Sequence, residues 1–307
     1  MKSPLPIRDG VASSYLWLQK GGWPHMLAFL SERFPDVAPA SWLARMARGE
    51  VVDHTGLCLR PDSPYRWGIC IFYYRELEGE TPIPFEERVL YRDAHILVAD
   101  KPHFLPVTPS GRFLHETLLV RLKKKLQLPE LTPIHRLDRE TAGVIIFSHN
   151  AASRGAYQSL FQKRAVHKVY EALAPTLPDR DFPFTYRSRM VDGTPFFRMQ
   201  EVAGEPNSET RIDLIERRGA LSLYRLQPLT GRKHQLRVHL AALGIPIVND
   251  AFYPLALPCK ADDMSQPLQL LARAIAFDDP LTGQARSFES EQTLIGEASR
   301  RPGKILL

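Results

Sequence analysis

The segment central to this chain is His135-Arg136-Leu137-Asp138-Arg139-Glu140-Thr141-Ala142-Gly143, which runs directly into Val144-Ile145-Ile146-Phe147. Four successive apolar residues, all β-branched or aromatic, predict a buried strand. Pro133 upstream and Gly143 at the junction mark the residues between them as a loop. The carboxylate of Asp138 therefore lies on irregular chain beside a core strand, where reactive groups often occur. An ordinary charged loop with local ion pairs is the alternative.

The composition indicates a globular protein with about two domains, since 44% of the 307 residues are hydrophobic and 24% are charged. The formal net charge of +6 favours a polyanionic partner. Cys58, Cys70 and Cys259 are far apart, which predicts neither a disulfide framework nor a cysteine metal site and suits the cytoplasm. No stretch approaches the roughly 20 apolar residues of a membrane span, so we expect no membrane partner.

The first part of the chain shows the pattern of two short helices followed by short strands. Ser41 is the expected N-cap of the second helix, with Arg45 and Arg48 opposite its apolar side. The segment 76–84 is acidic and carries two prolines and a glycine, which is typical of a linker. The chain is therefore divided into two predicted domains, 1–84 and 85–307.

Two further segments of the second domain combine basic and aromatic residues in regular patterns. The alternation over 167–173 predicts a strand with Lys168, Tyr170 and Ala172 on one face. The run Thr230-Gly231-Arg232-Lys233-His234-Gln235-Leu236-Arg237-Val238-His239 predicts a helix whose first turns are basic and favour anions. The alternatives are a tyrosine that lies only in the core or at the rim of its strand, and an ordinary basic helix on the surface.

Taken in order, these three segments resemble the motifs of the RluA family of pseudouridine synthases over roughly residues 88–290. The resemblance implies an α+β protein with a mixed, mostly antiparallel sheet, flanking helices and a central cleft. Residues 1–84 are similar to the α-L RNA-binding module, a small α/β unit, although an accessory domain that only packs on the core is the alternative. The chain departs from the family at Phe104 and Asn249, where glycine is expected.

The resemblance also assigns roles to individual residues. Asp138 would attack the target uridine, Arg237 would be its charged partner, and Tyr170 would stack on the uracil and act as a late base. His135 and Thr141 would brace the loop. The residues implied in RNA binding are Arg136, Arg139, Arg232, Lys233, His234 and Lys168. The reaction breaks the bond from sugar to base nitrogen, turns the uracil and rejoins it through carbon, so neither a cofactor nor a metal is expected.

Two other classes of protein compete with this interpretation. A catalytically silent RNA-binding protein would keep the fold and the basic surface, but it would not need Asp138, Tyr170 and Arg237 together. A hydrolase using Asp138 lacks support because the sequence contains no G-x-S-x-G and no H-E-x-x-H pattern. The sequence leaves open whether the substrate is ribosomal or transfer RNA, and whether Asp138 attacks the sugar or the base. We expect a monomer.

Overall fold

A computed structural model describes residues 3–77, 79–257 and 263–295, so Cys259 lies outside the described residues. The N-terminal part forms a three-stranded antiparallel sheet of order β1-β3-β2 with two helices. Its elements are β1 (Ser14–Trp17), α1 (Met26–Arg33), α2 (Pro39–Ala47), β2 (Val51–Asp53) and β3 (Cys70–Tyr73). None of the helices in the described ranges is long and apolar enough to cross a membrane.

The rest of the described chain is organised by an eleven-stranded sheet. Its main path is β10-β9-β11-β12-β8-β13-β7-β5-β4, while β14 pairs with β13 and β6 with β7. The strands are β4 (Arg88–Arg92), β5 (Ile96–Lys101), β6 (Thr132–Pro133), β7 (Ala142–Ser148), β8 (His167–Pro175), β9 (Phe184–Asp192), β10 (Met199–Val202), β11 (Ser208–Arg218), β12 (Leu221–Pro228), β13 (Leu270–Asp278) and β14 (Ala285–Glu289). The pairing of β7 with β13 is parallel and the other pairings are antiparallel. This confirms the predicted mixed, mostly antiparallel α+β class.

In the described part of the chain, three helices flank this sheet, α3 (Leu118–Leu126), α4 (Arg154–Gln162) and α5 (Gln235–Ala242). Strand β7 is buried throughout because both of its faces are covered. Ile145 and Phe147 pack in the cluster that includes Leu118 and Leu122 of α3, whereas Val144 and Ile146 pack with Tyr157 of α4. Two covered faces require an unbroken apolar run rather than alternation. Each such side chain contributes about 1.5–3 kcal/mol through burial.

The parallel contact between β7 and β13 depends on Gly143, which pairs with Ala272. Gly143 has φ +113°, and a Cβ added there would lie 2.2 Å from the carbonyl oxygen of Ala272. Only glycine accepts both this backbone conformation and this close approach. The last residue of the central motif therefore sets how closely the loop carrying Asp138 lies to β13.

Gly143→Ala is expected to lower the free energy of unfolding by about 2–4 kcal/mol, because backbone must move to admit the methyl group. Urea unfolding measures the change. The control is Gly155→Ala in α4, where an added Cβ meets no atom within 4 Å and helix propensity favours alanine. Equal effects of the two substitutions would contradict the importance of this close approach.

Described residues of the N-terminal part and of the predicted linker pack against the second part of the chain. Val11 packs with Leu114 and Val120, and the carboxylate of Glu80 accepts hydrogen bonds from three successive backbone N–H groups, those of residues 114–116. Ile83, within the predicted linker, is buried in the core of the second domain. The division at residue 84 stays a prediction.

The helix α2 differs from its prediction in two respects. It begins at Pro39, two residues before the expected cap, because proline is favoured in the first turn of a helix. Arg45 is 4% exposed and its Nε donates to Glu76 at 3.2 Å, whereas an outward-facing side chain was expected. Arg48 also pairs with Glu76, at 2.6 Å. Both arginines of α2 are therefore engaged within the protein.

Candidate active site

Asp138 lies on the loop between β6 and β7, and its neighbours hold the loop in place. The backbone carbonyl of Asp138 accepts from Thr141 N at 3.2 Å. The ring of His135 stacks on Phe161 at 4.6 Å, and its Nε2 accepts from Ile146 N at 3.1 Å. Burial lowers the pKa of His135 to about 3, so this ring stays neutral. These contacts support the bracing roles expected for His135 and Thr141.

A second brace, missed by the sequence reasoning, is the fully buried Lys101 at the end of β5. Its Nζ donates to the carbonyl oxygens of Pro102, Leu105 and Arg139 at 3.0, 2.8 and 3.0 Å. All three ammonium protons are thereby used, which a buried lysine requires. Burial nevertheless lowers the pKa of Lys101 to about 7. The ammonium group holds the backbone directly after Asp138.

Arg237 lies in α5, is 1% exposed, and is held by Asp250. Its Nε and Nη2 donate to the two carboxylate oxygens of Asp250 at 2.7 and 2.6 Å, a bidentate pair. The remaining nitrogen, Nη1, lies 3.8 Å from Asp138 Oδ2 and has no hydrogen-bond partner among the described residues. Two nitrogens thus fix the guanidinium and the third lies beside Asp138, a position that suits the charged partner expected of Arg237.

The protonation of Asp138 reflects burial as well as charge. Removal of the carboxyl from water raises the pKa of Asp138 above its ordinary value, against the opposing positive charges of Arg237, Arg136 and Lys101. The Asp138 side chain is 23% exposed, yet desolvation of its carboxyl has a larger effect on the pKa than the neighbouring positive charges.

Tyr170 and Lys168 project from the same face of β8, as predicted, and both line the cavity that contains Asp138. Burial and the negative charge of Asp138 raise the pKa of the Tyr170 phenol well above its ordinary value. The phenol therefore keeps its proton in the free protein. Lys168 Nζ donates to the carbonyl of Thr230 at 3.3 Å, at the start of the third motif.

The third motif is folded differently from the prediction at its start. Helix α5 begins at Gln235, so Arg232, Lys233 and His234 precede the helix instead of occupying its first turns. The reason lies in Gln235, whose buried side chain accepts from Thr230 Oγ1 and Arg232 N and ties the preceding loop together. The basic residues thereby line the cavity from a loop rather than from a helix face.

Both departures from the family's glycines occur at left-handed backbone. Phe104 has φ +66° and Asn249 has φ +64°. Asparagine tolerates this conformation, whereas phenylalanine adopts it at a cost of about 1–3 kcal/mol. The carbonyl of Phe104 accepts from Arg139 Nε at 3.1 Å, which helps to hold it. At both positions the chain therefore keeps the left-handed backbone conformation that glycine favours, although neither residue is glycine.

A cavity of about 600 Å³ brings these groups together. Eight of the nine predicted site residues line it, namely Asp138, Tyr170, Arg237, Arg136, Arg232, Lys233, His234 and Lys168. Arg139 does not, because its guanidinium lies over the ring of Phe113 at 4.9 Å and faces away from the cavity. The RNA-binding role given to Arg139 is therefore unsupported by its position. Asp250 and Tyr253, which follow Asn249 in the chain, had no role predicted from the sequence, yet they contact Arg237 and His234.

The chain is similar to known proteins of one family. The family described as RNA pseudouridylate synthase matches residues 95–242. The dual-specificity RNA pseudouridine synthase RluA of Vibrio vulnificus is 38% identical over 192 residues, which cover 58% of this chain and 73% of that protein. Mouse pseudouridylate synthase RPUSD2 is 37% identical over 176 residues, 57% of this chain but 32% of that protein. Human RNA pseudouridylate synthase domain containing 1 has a TM-score of 0.56 at 25% identity, over 67% of this chain and 84% of that chain.

A carboxylate beside a fixed guanidinium, in a basic cavity of the size that holds a small ligand, suits an enzyme with a polyanionic substrate. The fold and the site point to that class. The identity to RluA, which extends over most of that protein's length, then shows the family. The chain belongs to the RluA-like RNA pseudouridine synthases, a family of isomerases.

Proposed function

We propose that this protein converts uridines of structured RNA into pseudouridine with Asp138 as the nucleophile. The observation that carries the proposal is the position of the Asp138 carboxylate, which shares one cavity with Arg237 and Tyr170. The carboxylate attacks the nucleotide, the bond between the sugar C1′ and uracil N1 breaks, and the ring turns. C5 then bonds to C1′ while the bond to Asp138 breaks, and the proton lost from C5 is balanced by one gained at N1. The number of atoms and electrons is unchanged, so the step needs no oxidant and no cofactor.

Each neighbour has a distinct part in this proposal. The positive charge of Arg237 opposes the effect of burial on Asp138 and favours the reactive carboxylate. Tyr170 packs against the uracil with its ring. Because its phenol is protonated in the free protein, Tyr170 acts as a base only after the proton has moved to another acceptor, such as the carboxylate that Asp138 regains. Sugar attack and base attack both require the same deprotonated carboxylate.

The target uridine must leave its stack to enter the cavity, which costs a few kcal/mol in paired RNA. Arg136 is exposed at the cavity and is suited to stabilise the extruded arrangement. Arg232, Lys233 and Lys168 supply positive charge for the RNA backbone. Ribosomal and transfer RNA are both candidates for the substrate. We further propose a monomer and a cytoplasmic location, the latter supported by the free thiols of Cys58 and Cys70.

The experiment that tests the function is pseudouridine mapping of total RNA from cells with and without the protein. Asp138→Asn, expressed in the deleted cells, is the control. A site that disappears on deletion and returns with the wild type but not with the variant would establish the activity and identify the RNA. If no site disappears, or if the variant restores it, the proposal is contradicted.

Tyr170→Phe is expected to bind RNA within about threefold of the wild type while product formation slows by at least about 100-fold, the usual contribution of a general base. Phenylalanine keeps the ring but lacks the hydroxyl. Single-turnover product formation and RNA binding measure the two effects. Tyr15→Phe, on an exposed tyrosine of β1, is the control. An unchanged rate would remove the hydroxyl from the mechanism.

Lys233→Ala is expected to make the slope of log binding constant against log salt concentration less negative by about 0.7–0.9, the value for one lost phosphate contact. The side chain lines the cavity, and its Nζ donates to the carbonyl of Phe196 at 3.4 Å. Arg88→Ala makes the same change in net charge on edge strand β4, outside the cavity. If Lys233→Ala and Arg88→Ala changed the slope by the same amount, the effect would come from net charge alone and not from a phosphate contact of Lys233.

A further inference from the structure

His234 occupies an unusual position between the third motif and α5. It is the N-cap residue of α5, yet its side chain makes no capping hydrogen bond. Its backbone has φ +55°, the left-handed conformation that non-glycine residues adopt when their surroundings enforce it. The side chain is 7% exposed, although the resemblance predicted an RNA-binding residue. The ring is therefore committed to contacts inside the protein.

The hydrogen bonds of Tyr253 determine which ring nitrogen of His234 carries the proton. Tyr253 Oη accepts from Met199 N at 2.8 Å and lies 2.8 Å from His234 Nδ1. Because the backbone N–H is a donor, the single hydroxyl proton of Tyr253 is free to donate to Nδ1. Nδ1 is then an acceptor, and the proton of the neutral ring is on Nε2. Burial and the charge of Arg237 lower the pKa of His234 to about 3, which agrees with a neutral ring.

The protonated nitrogen faces the nucleophile. His234 Nε2 lies 3.8 Å from Asp138 Oδ2, the same oxygen that lies 3.8 Å from Arg237 Nη1. Two donors thus converge on one carboxylate oxygen from two different supports, Tyr253 behind the imidazole and Asp250 behind the guanidinium. A shift of less than about 1 Å brings both within hydrogen-bond distance.

We propose that His234 is a positioning residue which, with Arg237, holds Oδ2 of Asp138 and leaves Oδ1 directed at the target uridine. This inference rests on the proposed function, because it gives the orientation of the proposed nucleophile. It assigns His234 a role inside the protein in place of a contact with the RNA backbone. Tyr253 is part of the same arrangement, since its hydroxyl determines which ring nitrogen of His234 carries the proton.

The matched variants are His234→Asn and His234→Gln. The asparagine side chain reaches as far as Nδ1, so it keeps the contact with Tyr253 and loses the donor to Asp138, and asparagine tolerates the left-handed backbone. The longer glutamine amide reaches the position of Nε2 and keeps a donor there. Activity is measured as pseudouridine formation in total RNA from cells that lack the protein, and thermal unfolding verifies that both variants fold.

The asparagine variant is expected to lower kcat by about 100-fold with KM within threefold, whereas the glutamine variant stays within about tenfold of the wild type. Loss of the donor also raises the pKa of Asp138, so the acid limb of the rate profile moves to higher pH in the asparagine variant. The charged or titratable groups facing the imidazole remain unchanged in both variants, namely Asp138, Tyr253, Arg237, Lys233, Asp250 and Arg136.

Three outcomes overturn the inference. They are a raised KM with unchanged kcat, equal activity of the two variants, and a proton on Nδ1 in the ¹⁵N spectrum of His234. The spectrum requires no substrate, so it tests the arrangement independently of the reaction. If the wild type itself forms no pseudouridine, the proposed function fails, and that result is distinguishable from failure of the role given to His234.

Discussion

Asp138→Asn is expected to abolish pseudouridine formation while RNA binding stays within a few-fold of the wild type. The amide has nearly the shape of the carboxylate, so the cavity and its basic lining persist. It carries no negative charge and is a poor nucleophile, and no other carboxylate lines the cavity among the described residues. Product formation over many hours and RNA binding at fixed salt concentration are the two measurements.

The same variant separates the enzyme from a silent RNA-binding protein. A silent protein would behave alike with aspartate and with asparagine at position 138, because neither product nor binding would change. Glu140→Gln makes the same change of charge two residues further along the loop and is the control, since Glu140 does not line the cavity. Turnover by Asp138→Asn would exclude Asp138 as the nucleophile.

Asp250→Asn is expected to lower the free energy of unfolding by about 3–5 kcal/mol, the usual cost of breaking a buried ion pair. Both side chains of the pair with Arg237 are 1% exposed, so the guanidinium would be left buried without its counter-charge. Nη1 of Arg237 would also lose its fixed position beside Asp138. We therefore expect urea unfolding to show the lost stability and single-turnover kinetics to show a much slower reaction.

Glu291→Gln is the matched control for the stability measurement. Glu291 pairs with Arg88 at 2.9 Å, but both side chains are largely exposed, and such surface pairs contribute little. No measurable change in the urea midpoint is expected. If Asp250→Asn were as mild as this control, the buried pair would not be what fixes Arg237.

Local patterns in the sequence were sufficient to predict much of the fold. The apolar run that forms β7 and the alternation that forms β8 are both found as strands, although β8 alternates in burial only at its start and is buried on both faces over residues 171–174. The order of the three motifs identified the family. The start of α5 was placed too early because a buried glutamine, Gln235, organises the loop before it through contacts with distant residues.

The sequence by itself determined which residue types are present for the chemistry, and eight of nine predicted site residues meet in one cavity. Only the tertiary structure decided how they act. It paired Arg237 with Asp250, turned Arg139 toward Phe113, buried His234 against Tyr253 and raised the pKa of Asp138. The physical reason is that side-chain direction and desolvation depend on packing between segments far apart in the chain, whereas motifs and periodicity are local properties.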